Sequence, residues 1–182
     1  MQTVWRRLDH PGHEWSKISE GKPFHQLEGS VVGLYEQLTT KLDYLIRTDL
    51  NWVTQSIQVT GRVGDRVVEL DIQVEEGRWR INGIEQPQVA GCVDIDLHFS
   101  PSTNLLPVRR LNLKVGQSAP VKAAWLHFPD FELQPLEQVY RRIDPLLYRY
   151  ESGGGRFSAE VRFNESGILV DYAGYWVAEP VQ

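Results

Sequence analysis

The sequence predicts a single all-β domain, an antiparallel roll or open barrel with little helix. Three observations predict it. Apolar and polar residues alternate with period two along much of the chain, hairpin-type turns separate the alternating runs, and 182 residues suit one such domain better than two.

The first long run is ambiguous. Val31, Leu34, Tyr35, Leu38, Leu42 and Leu45 recur at helical spacing, so pattern alone allows a helix over residues 31–47 as readily as strands. Thr39, Thr40, Tyr44 and Ile46 favour strands. From Val67 to Glu75 the alternation is plain, with Val68, Leu70, Ile72 and Val74 on one face and Glu69, Asp71, Gln73 and Glu75 on the other. Val93, Ile95, Leu97 and Phe99 form a second apolar row, opposite Asp94, Asp96, His98 and Ser100, and each such run reads as a strand with one face on a core and one face polar.

Pro101 to Arg110 reads as a short helical turn or an irregular loop, because Pro107 prevents a long helix. Trp125 shares a strand face with Val121 and Ala123, whose small side chains leave room for an indole, so it is expected to be mostly buried in the wall of the roll. A further run, Arg156 to Phe163, sets Phe157, Ala159, Val161 and Phe163 against Arg156, Ser158, Glu160 and Arg162. Gly64-Asp65, Glu76-Gly77, Asn82-Gly83, Gly153-Gly154-Gly155 and Ser166-Gly167 supply the turns. Arg66 to Gly77 and Arg156 to Gly167 repeat the same spacing, each followed by a short aromatic strand and another glycine. Two similar halves, about 1–92 and 93–182, would explain this, as would chance likeness between amphipathic hairpins.

Composition narrows the function classes. The formal net charge is −5 and the basic residues are dispersed, which argues against nucleic acid as a partner. No polybasic amphipathic segment or run of transmembrane length appears, so membrane insertion is not expected. Cys92 is the one cysteine, so an internal disulfide is impossible, and Met1 to Gly12 lacks an apolar signal core. Both favour the cytoplasm.

Asp94, Asp96 and His98 follow one another on one strand face at about 7 Å. Two carboxylates and an imidazole could bind a divalent metal or do acid–base work. The further ligands of a specific metal are missing, and pairing of Asp94 or Asp96 with Arg109 or Arg110, folding the intervening segment back on the strand, is the simpler expectation. His10, His13 and His25 form no compact ligand motif and read as surface or turn residues. Cys92 reads as a buried structural thiol, and no nucleophile elbow or phosphate-cradling glycine loop is present. Trp5, Trp15, Trp52, Trp79, Trp125 and Trp176, with seven tyrosines, are spread over nearly all the strands. Most must be core or wall, and some could line a cavity for an amphipathic ligand.

The segment Gly91-Cys92-Val93-Asp94-Ile95-Asp96-Leu97, followed by Ser100-Pro101-Ser102-Thr103-Asn104-Leu105-Leu106-Pro107-Val108-Arg109-Arg110-Leu111, resembles a bacterial family, the putative glycolipid-binding proteins, formerly a domain of unknown function. Asp49-Leu50-Asn51-Trp52, Gly77-Arg78-Trp79, Trp125 with Phe128-Pro129, Gln138-Val139-Tyr140, Tyr148-Arg149-Tyr150 and Leu169-Val170-Asp171-Tyr172 extend the likeness over essentially the whole chain. Ser100 stands where threonine is expected, which keeps the hydroxyl. Residues 31–40 match poorly. The resemblance implies a spiral β-roll of two similar halves, like the lipoprotein-localisation carriers, and transfers no catalytic residue, metal or cofactor.

The leading expectation is therefore non-enzymatic binding or carriage of an amphipathic lipid, such as a glycolipid, in an apolar cavity of the roll. Asp94, Asp96, Arg109, Arg110, Trp125, Tyr140 and Tyr172 are the candidate ligand-binding residues. Two alternatives stand beside it. One is a hydrolase acting on a lipid, sugar or phosphate ester through the Asp94, Asp96 and His98 face. The other is an interaction protein pairing through exposed strand edges. The oligomeric state is left open.

Overall fold

The computed structural model describes residues 1–35 and 37–180. Eight strands form a first meander: β1 (Gln2–Arg7), β2 (Gly12–Ser19), β3 (His25–Tyr35), β4 (Leu38–Thr48), β5 (Thr54–Val63), β6 (Arg66–Glu75), β7 (Arg78–Ile81) and β8 (Ile84–Glu85). After β9 (Asp94–Leu97) and a short helix α1 (Leu105–Leu111), a second meander follows. It comprises β10 (Ser118–Leu126), β11 (Leu133–Arg142), β12 (Leu147–Ser152), β13 (Phe157–Phe163), β14 (Leu169–Tyr172) and β15 (Trp176–Ala178). β1 pairs antiparallel with β15, so the two ends of the chain join the meanders into one fifteen-stranded sheet.

The protein is thus an all-β open roll. It does not close into a barrel: β8 and β9 are the two ends of the strand order, and β9 departs from the antiparallel pattern by pairing parallel with β10. The outer edge of β9 is nonetheless covered. The Ile95 N–H donates to Thr54 Oγ1 at 3.1 Å and the Leu97 N–H to Thr103 Oγ1 at 3.3 Å, which satisfies donors that an edge strand would otherwise offer to another chain.

Residues 31–35 and 38–47 are strands. β3 and β4 pair in register from His25↔Thr48 to Tyr35↔Leu38, and the apparent helical spacing arises because the hairpin tip falls inside it. Val31 and Leu42 are paired and buried, whereas Leu34 and Leu38 are exposed beside the tip. Pro101–Asn112 contains the one α-helix among the described residues. A 3₁₀ turn over Ser102–Asn104 runs into α1, which carries Pro107 within its first turn, where the missing N–H costs no internal bond, and stops at Asn112 in the left-handed region (φ 43°).

β9 and the second half of β10 are the centre of the spiral, and protein covers both of their faces there, with Asp96 and Trp125 partly open to a cleft. Ile95, Leu97, Phe99, Ala124 and Leu126 are buried towards the first meander, where Phe99 lies 6.4 Å from the Tyr44 ring and Trp79 Nε1 donates to the Cys92 carbonyl at 3.1 Å. Asp94, Asp96 and His98 point to the second meander. The polar face of this strand therefore looks into the molecule instead of into water, against the expectation of one core face and one solvated face. No helix among the described residues is long and apolar enough to cross a membrane.

Candidate functional site

The interior of the first meander is filled. Ile18, Leu27, Leu42, Ile46, Ile57, Val59, Ile72 and Trp79 pack with Leu97 and Phe99, and all are buried. One acid sits among them. On β2 the inward positions are Glu14, Ser16 and Ile18, while Trp15 is outside and 38% exposed. Glu14 Oε1 accepts from the Tyr44 hydroxyl at 2.6 Å and from Ser100 Oγ at 2.7 Å, and Oε2 has no hydrogen-bond partner among the described residues. Tyr44 reaches Glu14 across β3 because position 29 is glycine: a Cβ there would lie 2.4 Å from the Tyr44 hydroxyl oxygen. Burial, only partly offset by the Tyr44 and Ser100 hydrogen bonds, pushes the Glu14 carboxyl up to about 8.

The interior of the second meander opens instead into a cleft of about 430 Å³. Cross-strand register builds its walls. Arg7↔Trp176↔Tyr172 is one rung across β1, β15 and β14, Tyr140↔Tyr150 a second across β11 and β12, and Ser152↔Phe157 a third across β12 and β13. Trp125 faces them from β10, directly beside Asp96 in the parallel register. Trp125, Tyr150, Phe157, Tyr172, Tyr175 and Trp176 line the cleft as rings, and Asp96, His98, Ser100, Asn104 and Ser152 as polar groups. Arg7, Asp9, His10 and Tyr35, with Leu97, Pro101 and Leu136, complete the lining. Arg7 is held by Asp9 through two hydrogen bonds of 2.7 and 3.1 Å and sits over the Trp176 and Tyr35 rings at 5.3 and 5.8 Å.

The electrostatics of the cleft centre on Asp96. Its Oδ2 accepts from Gln138 Nε2 at 2.6 Å, and burial pushes the carboxyl up to about 6 against that hydrogen bond. Part of its surface stays open to the cleft, so water there moderates the penalty. His98 is pushed down to about 4 by burial, with further contributions from His127 and Arg7, and is neutral at pH 7. Its ring lies 4.9 Å from Trp125 and 5.2 Å from His127.

The candidate residues from the sequence separate into three places. Asp96, Trp125 and Tyr172 line the cleft; Tyr140 lies behind its wall, buried, with its hydroxyl donating to Asn104 Oδ1 at 2.8 Å. Asp94 and Arg110 form a bidentate pair (3.1 and 2.6 Å) that seats α1 on β9, and burial still raises the Asp94 carboxyl beside its partner. Arg109 turns away to Glu20 and the Ser166 carbonyl, over the Trp52 ring. The expected carboxylate–arginine tie therefore exists at Asp94 and not at Asp96, whose partner is Gln138. Trp125 is half-buried, a wall residue as expected, with one side on the cleft.

Arg7, Asp9, Tyr35, Asn104 and Gln138 were not legible as site residues. They come from four separate segments, and the join of β1 to β15 and the spiral of β9 bring them together. Among the described residues no group of three or more His, Cys, Asp and Glu is placed to hold a metal.

An open roll with one ring-walled, half-polar cleft has the architecture of a small-molecule binding protein. The chain belongs to the family described as putative glycolipid-binding, whose profile matches residues 2–178. It is similar to the crystal structure, at 1.80 Å resolution, of a DUF1089 family protein from Pseudomonas aeruginosa: 31% identity, a TM-score of 0.79, and coverage of 88% of this chain and 89% of that one. No curated protein matches.

Proposed function

We propose that this protein binds an amphipathic glycolipid without chemical turnover, and that the cleft of the second meander takes the sugar head group. The observation that carries the reading is the division of labour inside the cleft. Tryptophan and tyrosine rings present faces to the C–H surfaces of a sugar, while Asp96, Asn104 and Ser152 offer hydrogen-bonding partners for its hydroxyls. The apolar tail has no empty lumen to enter in the packed first meander. It would leave past Tyr175 and Leu8 at the rim, where the Leu8 N–H donates to the Tyr175 carbonyl at 2.8 Å and both side chains are exposed.

Binding is favoured over hydrolysis because Asp94 is engaged by Arg110 and leaves Asp96 as the one carboxylate beside His98 on the cleft floor. The test is native mass spectrometry of freshly purified protein, followed by titration with octyl glucoside and octanol under tryptophan fluorescence. Co-purified glycolipid, or quenching of Trp125 and Trp176 by the glucoside alone, is the expected result. Equal response to octanol, with no retained lipid, would end the reading.

A further inference from the structure

Asp96 is a carboxylate without a cation. The nearest arginine on its own side of β9, Arg110, is consumed by Asp94 through both of its carboxylate contacts. Arg7, across the cleft, is held by Asp9 through two hydrogen bonds and covered by rings. His98 on the same strand carries no charge at neutral pH. Gln138 supplies a neutral amide to Oδ2, and Oδ1 has no hydrogen bond among the described residues and is not closed off from the cleft. Around this unmatched negative charge stand the rings of Trp125, Tyr150 and Tyr172, whose faces also carry negative potential. A sugar hydroxyl would satisfy Oδ1, but it would leave the charge without a counter-ion in the cleft.

We infer that the cleft selects a ligand bearing an ammonium group, which docks on Asp96 within the rings of Trp125, Tyr150 and Tyr172. This rests on the head-group reading above, and within it the ligand is an amino sugar. A primary ammonium donates up to three hydrogen bonds, one of them to Oδ1, while its positive charge is attracted to the ring faces. The same chemistry would accept a quaternary ammonium such as choline through charge and ring contact alone.

The pH dependence follows from the groups around Asp96: Gln138 and Tyr140 from β11, Tyr150 from β12, Tyr172 from β14, Trp125 from β10, Asn104 from the 3₁₀ turn, Arg7, Asp9 and His10 across the cleft, and Asp94 and His98 from β9 and its end. Burial holds Tyr140, Tyr150 and Tyr172 protonated, and His98 takes a proton only near pH 4. Asp96, pushed up to about 6 by burial, is therefore a cleft group that loses its charge within the accessible pH range. Ammonium affinity is full above that value and falls as the carboxylate is protonated below it.

The experiment is calorimetric titration of the full chain at pH 7 and pH 5 with glucosamine, glucose, N-acetylglucosamine and choline, in the native protein and in Asp96→Asn. The expected result is that glucosamine binds about tenfold more tightly than either neutral sugar, an increment typical of a desolvated cation beside a carboxylate and aromatic rings. The preference should disappear in Asp96→Asn and shrink at pH 5 in the native protein, which keeps the test valid even if the variant folds poorly. Equal binding of glucosamine and glucose overturns the ammonium inference and leaves the sugar reading standing. Choline bound through Asp96 with no sugar bound does the reverse, and binding of none overturns both.

Discussion

Each meander curls around an interior that contains an acid raised by burial and held by no ion pair, yet the two interiors behave differently. In the first, Glu14 is enclosed by the hydroxyls of Tyr44 and Ser100 and by packed aliphatic side chains, with no opening to water. In the second, Asp96 sits at the floor of a cleft among rings. The difference comes from side-chain volume and from where the chain returns. β3, β4, β5 and β6 send Leu27, Ile46, Ile57 and Ile72 inward, and β9 and the turn after it lay Leu97 and Phe99 over them. The second meander has large rings separated by Ser152 and Ala159, and a cleft remains between them. A buried acid without an opening is a stability feature, whereas one beside an opening is available to a ligand.

The comparison breaks most sharply at the tryptophans and the two acids. Trp79 is fully enclosed in the first interior, with its Nε1 satisfied by the Cys92 carbonyl. Trp79→Ala should lower unfolding free energy by about 3–5 kcal/mol, because a large cavity is left in a packed region. Urea denaturation at pH 7 checks this, and a loss comparable to that of a surface position would show that the first interior is looser than its packing indicates.

Glu14 gives the next largest effect, and its sign is fixed by linkage. The folded-state carboxyl is raised to about 8 from an ordinary value of 4.5, so the contribution is complete below pH 4.5 and is lost as pH rises to 8. Stability should therefore fall by roughly 3–4 kcal/mol between pH 5 and pH 8. Asp96 acts in the same sense over a lower window, from about 3.8 to about 6, while His98, lowered to about 4 from 6.5, acts in the opposite sense over an overlapping range. The two largely offset one another, which leaves pH 6.5–8 to Glu14. Urea midpoints across that range should slope downward in the native protein and flatten in Glu14→Gln. A slope unchanged by the substitution would assign it to another group.

The acids also show which parts of the molecule can be read from sequence. Strand content, the turn positions and the amphipathic runs β6 and β13 were legible because period-two alternation maps directly onto a sheet with one covered face. β2 was not, because its apolar residue Trp15 faces out and its polar residues Glu14 and Ser16 face in. Hydropathy alone assigns that strand to the wrong face. What reverses it is a long-range arrangement of Gly29, Tyr44 and Ser100 that leaves no local signature. β9 shows the complementary case: the row Asp94, Asp96, His98 was visible, but its division into a structural ion pair and a cleft carboxylate depends on α1, whose length and turn bring Arg110 back over the strand. The aromatic residues of β12 and β14 could be recognised as wall candidates, whereas Arg7 and Asp9 reach the cleft only through the pairing of β1 with β15.

Asp94 sharpens the same division. The pair it makes with Arg110 is buried on the carboxylate side and partly exposed on the guanidinium side, with side-chain exposures of 1% and 21%. Asp94→Asn removes the charge and leaves Arg110 without its partner, while water still reaches the guanidinium. The expected loss is about 2–3 kcal/mol, below the full cost of breaking a wholly buried pair. Because the pair holds α1 on β9, amide hydrogen exchange should quicken in Leu105–Leu111 ahead of the strands of the first meander. A uniform increase over the whole protein would mean that α1 has no separate dependence on this tie.

The smallest stability effect is expected at Trp125, and its size decides whether the cleft is a binding surface or an imperfectly packed core. The indole lies beside His98 and His127, at ring distances of 4.9 and 4.6 Å, and its remaining surface faces the cleft. Truncation removes fewer packed contacts than at Trp79, because the space on one side is already open. Trp125→Ala should therefore lower unfolding free energy by about 1–2 kcal/mol, a fraction of the value for an enclosed tryptophan. Binding should respond the other way round. A ring that presents its face to a ligand loses that contact entirely on truncation, and octyl glucoside affinity should fall about tenfold, the scale of one good aromatic contact. Measured together, a large loss of stability with intact binding would make Trp125 a core residue like Trp79 and remove the contrast between the two interiors. A small loss of stability with a large loss of affinity places the ligand against β10, next to Asp96.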